Sequence, residues 1–149
     1  IPAIVAMHFL LMNKSIMYRK LILLFAILFF AGCSAHVLRQ SPSGWQYRIL
    51  KKGKGPGTIT GKEIWLFETT SYRNGTVLFS NEGTGRPVKV KVGANQATQA
   101  VDEALLGMKA GEIKEIIAPP HLVKRKSYPL NVHPDSPLLI RLILYKIEP

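Results

Sequence analysis

One stretch of this chain alone sets apolar residues at helical spacing. Within and just beyond Gln96–Leu106, Ala97, Val101, Ala104, Leu105 and Met108 fall on one face, and Gly107 stands where a helix would stop. The segments around it alternate instead. Trp45–Ile49 reads as a half-buried strand, and Glu63–Thr70, rich in β-branched and aromatic residues, as a buried one. Pro87–Val92, Glu112–Ala118 and Leu138–Ile147 are further strands. Asn74-Gly75 is the strongest hairpin signal, with Thr76–Phe79 returning from it. Gly53, Gly55, Pro56 and Gly57 mark a loop. One short helix among five or six strands implies an α+β architecture, a twisted antiparallel sheet whose apolar face the helix covers.

Ahead of this domain, Leu21–Gly32 carries no charge and follows Lys14, Arg19 and Lys20. A basic flank, a short apolar run and a small-residue exit describe a bacterial signal peptide; the run falls short of the roughly 20 residues that span a bilayer. Ala31-Gly32-Cys33-Ser34 closes it with the only cysteine. This resembles a lipobox, with Phe30 where leucine is usual. The expected division is therefore an extension at 1–11 ahead of a start at Met12 or Met17, a lipoprotein signal peptide at 12–32, a tether at 33–43 containing Ser41-Pro42-Ser43, and one domain at 44–149. Cys33 would carry the lipid; a plain signal anchor with an incidental thiol is the alternative.

The chain has 20 Lys+Arg against 9 Asp+Glu, a formal charge of +11. Cleavage before Cys33 removes three basic residues and no acid, so the remainder stays basic. In a cell envelope the anionic partners are lipid headgroups and surface polysaccharide rather than DNA. The basic residues are scattered apart from Lys124-Arg125-Lys126, and no nucleic-acid partner is expected. An apolar share of 47% excludes a disordered chain, and a single cysteine excludes disulfide scaffolds and cysteine-based metal folds. There is no G-x-S-x-G, P-loop, Rossmann glycine run or H-E-x-x-H. His8 and His36 lie outside the domain, while His121 and His133 are expected to be exposed, with no carboxylate placed to complete a metal site. Asp102 and Glu103 are helix neighbours that point in different directions. Neither a metal nor a cofactor is expected.

Rotation about a prolyl peptide bond needs none of these groups. Resonance sets its barrier at roughly 18–20 kcal/mol. A water-excluding apolar pocket removes the solvation that favours the planar form, and one or two donors hold the displaced carbonyl.

Five segments, in order, carry a family resemblance. They are Ser43–Gly53 (SGWQYRILKKG), Asn74–Leu78 (NGTVL), Pro87–Gly93 (PVKVKVG), Val101–Glu112 (VDEALLGMKAGE) and Ser136–Ile140 (SPLLI). Together they resemble an FKBP-type peptidyl-prolyl isomerase domain, in its bacterial lipoprotein form, over nearly all of the chain after Ser43. The resemblance implies an FKBP-like fold and a proline cleft whose positions have changed. Phe67 takes the place of a lining tyrosine, Leu78 of a phenylalanine and Phe79 of an aspartate; Val88 and Ile140 replace further phenylalanines. Val101 stands for the tryptophan floor. Val123 stands for a tyrosine that offers its hydroxyl to the substrate carbonyl, and Lys124 for the glycine after it. Val132 and Thr98 are further lining positions, Thr98 contributing a backbone N–H. A cleft without its flat floor and main side-chain donor implies weak isomerase activity on proline-containing segments of envelope proteins, or a catalytically inactive binding or chaperone module. Core packing is the alternative role for each of these residues. A structural lipoprotein with an unrelated β-sandwich would require the five matches to be coincidence. By family analogy, Ser34 after the cysteine points to a lipid anchor in the outer rather than the inner membrane, facing the periplasm.

Overall fold

The computed structural model describes residues 37–149; the expected extension, signal peptide and Cys33 lie outside the described residues. Its elements are β1 (Arg39–Gln40), β2 (Gln46–Lys51), β3 (Lys54–Gly57), β4 (Glu63–Tyr72), β5 (Val77–Ser80), β6 (Val88–Lys91), α1 (Gln99–Leu105), β7 (Lys109–Ala110), β8 (Ile113–Ala118) and β9 (Leu138–Ile147). Seven strands form one antiparallel sheet in the order β1-β2-β8-β9-β4-β5, with β6 also on β4. The ten residues of β4 serve two partners along one edge: its first half pairs with β6 and its second half with β5.

The sheet buries one face against α1. Alternate residues of β9, namely Leu138, Ile140, Leu142 and Leu144, point inward with Ile64 and Leu66 of β4 and with Ile116 and Ala118 of β8. Val101, Ala104 and Leu105 of α1, with Met108 just beyond it, cover them. The period of two on the strands and of 3.6 on the helix thus meet in a single core. Trp45 closes one end: its indole N–H donates to Glu103 Oε2 at 2.8 Å, and its ring lies 5.1 Å from Tyr47.

The helix begins at Gln99, three residues later than the apolar spacing suggests. Asn95 adopts φ +54° and donates its N–H to Asp102 Oδ2 at 2.9 Å, while Gln96 Oε1 accepts the Lys91 N–H at 2.8 Å. These bonds hold residues 95–98 as a loop across the head of the helix. At the other end Gly107 has φ +74°, a conformation that side chains disfavour.

Two departures from the sequence reading come from very short strands. Arg39–Gln40, within the expected tether, pairs with Tyr47 and Gln46. The glycine-rich stretch read as a loop contains β3, which pairs with β7. Here Gly57 serves a close approach rather than a turn: a Cβ on it would lie 2.8 Å from the Gly107 carbonyl oxygen.

Candidate functional site

A cleft of about 590 Å³ opens between the β4–β6 edge, the loop leading into α1, and the long connection from β8 to β9. Leu66, Val88, Val90, Ala97 and Val101 supply an apolar wall, and Phe79 stands at the rim, half exposed. Across from them are Lys124, Arg125 and Lys126, all exposed.

Strand geometry explains the apolar wall. Val88 is opposite Leu66 and Val90 opposite Ile64 in the β4–β6 ladder, so their side chains share the sheet face on which the helix sits. Val101, 2% exposed, occupies the first turn of α1 and forms both part of the core and part of the cleft wall. Asn81, itself buried, ties the rim together. Its Nδ2 donates to the Leu66 and Arg86 carbonyls at 3.3 and 3.2 Å, and its Oδ1 accepts the Glu68 N–H at 2.7 Å.

Of the residues read from the sequence as site positions, Phe79, Val88, Thr98 and Val101 come together around this cleft. Five others stand outside its lining. Phe67 lies on the opposite face of β4, where its ring meets Tyr145 edge-on at 5.9 Å. A step of one residue along a strand reverses the direction of a side chain, and the inward neighbours are Leu66 and Glu68. Val123, 2% exposed, is part of the core. The 3₁₀ turn Pro120–Leu122 ends with the Val123 N–H on the Pro120 carbonyl, which tucks Leu122 and Val123 inward and leaves Lys124 to face the cleft. Ile140 is fully buried in the middle of β9, and Leu78 packs against the core from beside the bulge between β4 and β5. Val132 is buried in the β8–β9 connection, its N–H bonded to the Pro129 carbonyl.

The sequence reading passed over Leu66, Val90, Asn95, Gln96 and Ala97 as lining residues, and with them the one acid, Glu68. Its Oε1 accepts the Thr70 hydroxyl at 2.8 Å. The signal was present: Glu68 is the lone acid in the interior of Glu63–Thr70, two places from Leu66 and four from Ile64. The arrangement offers no nucleophile–base pair. Among the described residues no three His, Cys, Asp or Glu side chains converge as a metal site. The Thr98 hydroxyl and Asp102 Oδ1 are buried without hydrogen-bond partners among the described residues. What the cleft can supply is an apolar hollow beside a cationic wall.

The β8–β9 connection that carries this wall is fastened to the sheet by Tyr72. Its hydroxyl donates to the Asn131 carbonyl at 2.9 Å and accepts the His133 N–H at 2.8 Å. His133 and His121 are themselves exposed.

Comparison with known proteins gives this geometry a family. Residues 60–144 match the model of the FKBP-type peptidyl-prolyl cis-trans isomerase domain. The chain is 35% identical over 91 residues to the human peptidyl-prolyl cis-trans isomerase FKBP10, covering 61% of this chain and 16% of that protein. It is 32% identical over 77 residues to FK506-binding protein 1 of Dictyostelium discoideum, covering 52% of this chain and 72% of that one. Among solved structures, FkpA from Escherichia coli aligns with a TM-score of 0.66 at 20% identity, over 92% of this chain and 59% of that chain. AtFKBP13 aligns with a TM-score of 0.65 at 24% identity, over 74% of this chain and 98% of its own. The chain thus spans a small part of the human relative and just under three fifths of the FkpA chain. The matched segment and the fold lead to one conclusion: this chain belongs to the FKBP-type peptidyl-prolyl cis-trans isomerase family.

Proposed function

We propose that this protein is a weak peptidyl-prolyl cis-trans isomerase whose cleft takes the ring of a proline in an extended client segment. The observation that carries the reading is the open apolar hollow against Val88, Val90 and Val101, where four of the nine positions that the family resemblance assigns to the proline site come together. A prolyl ring entering it leaves water, and the imide carbonyl loses the solvation that favours the planar bond. The donor assigned to that carbonyl is the backbone N–H of Thr98, in the loop ahead of α1, where the first-turn N–H groups lack carbonyls four residues earlier. Val101 gives a branched aliphatic floor with no flat ring for stacking, and Val123 offers no hydroxyl. Loss of one positioned donor costs about 10²–10³ in rate in other enzymes, so turnover is slow.

The same two substitutions support a second reading, in which the cleft holds a prolyl segment without turning it over. The assay is cis–trans isomerisation of a Leu-Pro peptide by the purified full chain in detergent. A rate above the uncatalysed one supports the isomerase; a background rate with measurable binding leaves the holder.

The clients assigned are proline-containing segments of envelope proteins, met by a protein held through lipid on Cys33 in the outer membrane and facing the periplasm. The basic flank, the uncharged run and Ala31-Gly32-Cys33-Ser34 support that placement. Metabolic labelling with an alkyne fatty acid tests it: wild type takes up label and Cys33→Ser does not. An unlabelled wild type would remove the anchor.

A further inference from the structure

We propose that the cleft selects prolyl segments carrying an aspartate or glutamate immediately before the proline, with Lys124, Arg125 and Lys126 reading the acid while Val88 and Val101 take the ring. This rests on the prolyl-binding reading above and adds a substrate class to it. Three consecutive cations line one side of the cleft, and the only carboxylate in the lining is Glu68. Glu68 is already engaged by the Thr70 hydroxyl. Among the described residues the ion pairs are Arg48–Glu115, Lys89–Glu63, Lys114–Glu112, Arg141–Glu82 and Lys146–Glu148, so none uses Lys124, Arg125 or Lys126. Three cations thus stand against one carboxylate in the lining, which leaves it with a net positive charge.

Chain geometry makes the combination usable by one ligand. Consecutive residues are 3.8 Å apart or less at Cα, so a ring seated against the apolar wall leaves an adjoining side chain within reach of the cations, and the residue before the rotated bond is the one assigned to them. A neutral residue there gains nothing from the cations, and a lysine is repelled. Like charges across a contact disfavour the wrong partner as effectively as opposite charges favour the right one.

The test uses the full chain in detergent and three otherwise identical labelled pentapeptides with Glu, Leu or Lys before the proline. Fluorescence anisotropy at low salt should rank them Glu, Leu, Lys, with about tenfold between the first and last, since exposed pairs each contribute modestly. The spread should shrink in about 0.5 M salt, where screening is strong. Replacing Lys124, Arg125 and Lys126 together by Gln should bring the Glu-to-Lys ratio close to one. Replacing all three by Glu should invert the ranking, an outcome that a folding defect cannot produce.

Equal affinity of wild type for the Glu and Lys peptides, with the Leu peptide bound, overturns this inference and leaves the prolyl-binding reading standing. Failure of all three to bind overturns both. Loss of binding to phosphatidylglycerol vesicles in the Gln variant, with the peptide ranking unchanged, also overturns it and assigns the three cations to a lipid surface.

Discussion

Asn81 and Glu68 are joined twice: the Asn81 backbone N–H donates to the Glu68 carbonyl at 3.1 Å, and the Asn81 side chain accepts the Glu68 N–H at 2.7 Å. The same side chain donates to the carbonyls of Leu66 and Arg86. One buried amide therefore fixes the β4 segment that contributes Leu66 and Glu68 to the cleft. Asn81→Ala leaves the Glu68 N–H and two carbonyls without their partner, at about 1–3 kcal/mol for a buried group left unsatisfied. The urea midpoint should fall accordingly. A midpoint within error of wild type would show that water replaces the amide at no cost.

Tyr72→Phe removes a hydroxyl that bridges the Asn131 carbonyl and the His133 N–H while keeping the ring. The expected loss is about 1 kcal/mol, with a larger local effect. Amide exchange at His133 should accelerate more than at the centre of β9, because the β8–β9 connection loses its fastening before the sheet opens. Equal acceleration at both places would mean that the bond contributes only to global stability.

Glu103 gives a pH dependence with a definite sign. Desolvation raises its pKa, but hydrogen bonds from Gln99, Ser43 and Trp45 outweigh that and hold it below the ordinary value of 4.5. A carboxylate with a depressed folded-state pKa contributes stability that is present above its unfolded value and is lost as pH falls through its folded value. Trp45→Phe removes the indole donor, so the Glu103 pKa should rise towards 4.5 and the acid-side loss should shrink. Urea midpoints between about pH 2 and 6 read this. Parallel curves for wild type and variant would deny Trp45 its part in the shift.

Val101→Trp tests the floor of the cleft. Val101 is 2% exposed, with the core on one side and the cleft on the other. An indole that turns to the cleft adds a flat surface for the ring, worth up to about tenfold in rate, and one that turns to the core overpacks it at about 1–3 kcal/mol. Thermal melting should show a folded variant, and isomerisation of a Leu-Pro peptide should rise. A folded variant with an unchanged rate would mean that the floor does not limit turnover.

The fold was legible because glycine and proline bound most of the strands and one segment after Ser43 carries a helical period. The bounds Leu138–Ile147 agree with the sequence reading, and burial alternates from Leu138 to Leu144 although the residues there are nearly all apolar; the apolar face of the helix also agrees, although its expected first turn is a loop. β3 and β7 were not legible, since two- and four-residue strands built on glycine approach carry no side-chain pattern. The cleft was half legible. In EIWLFETT both faces are apolar, Ile64 and Leu66 on one and Trp65 and Phe67 on the other, so alternation alone does not say which faces the cleft. A similar ambiguity affects Val123 and Lys124, where a 3₁₀ turn whose position the prolines mark only approximately decides which residue turns inward. At the turn the cleft-facing residue is the charged Lys124 and Val123 packs in the core; on β4 the cleft takes Leu66 and Glu68, and Phe67 packs on the other face.

The most direct measurement is a nuclear magnetic resonance titration of the full chain with a Leu-Pro peptide, followed by exchange spectroscopy on the peptide. Shift changes should concentrate at Val88, Thr98 and Val101, and cis–trans exchange should exceed the uncatalysed rate, which takes tens to hundreds of seconds. A spectrum in which those three amides stay still at saturating peptide, with exchange at background, would contradict the seating of a prolyl ring in this cleft.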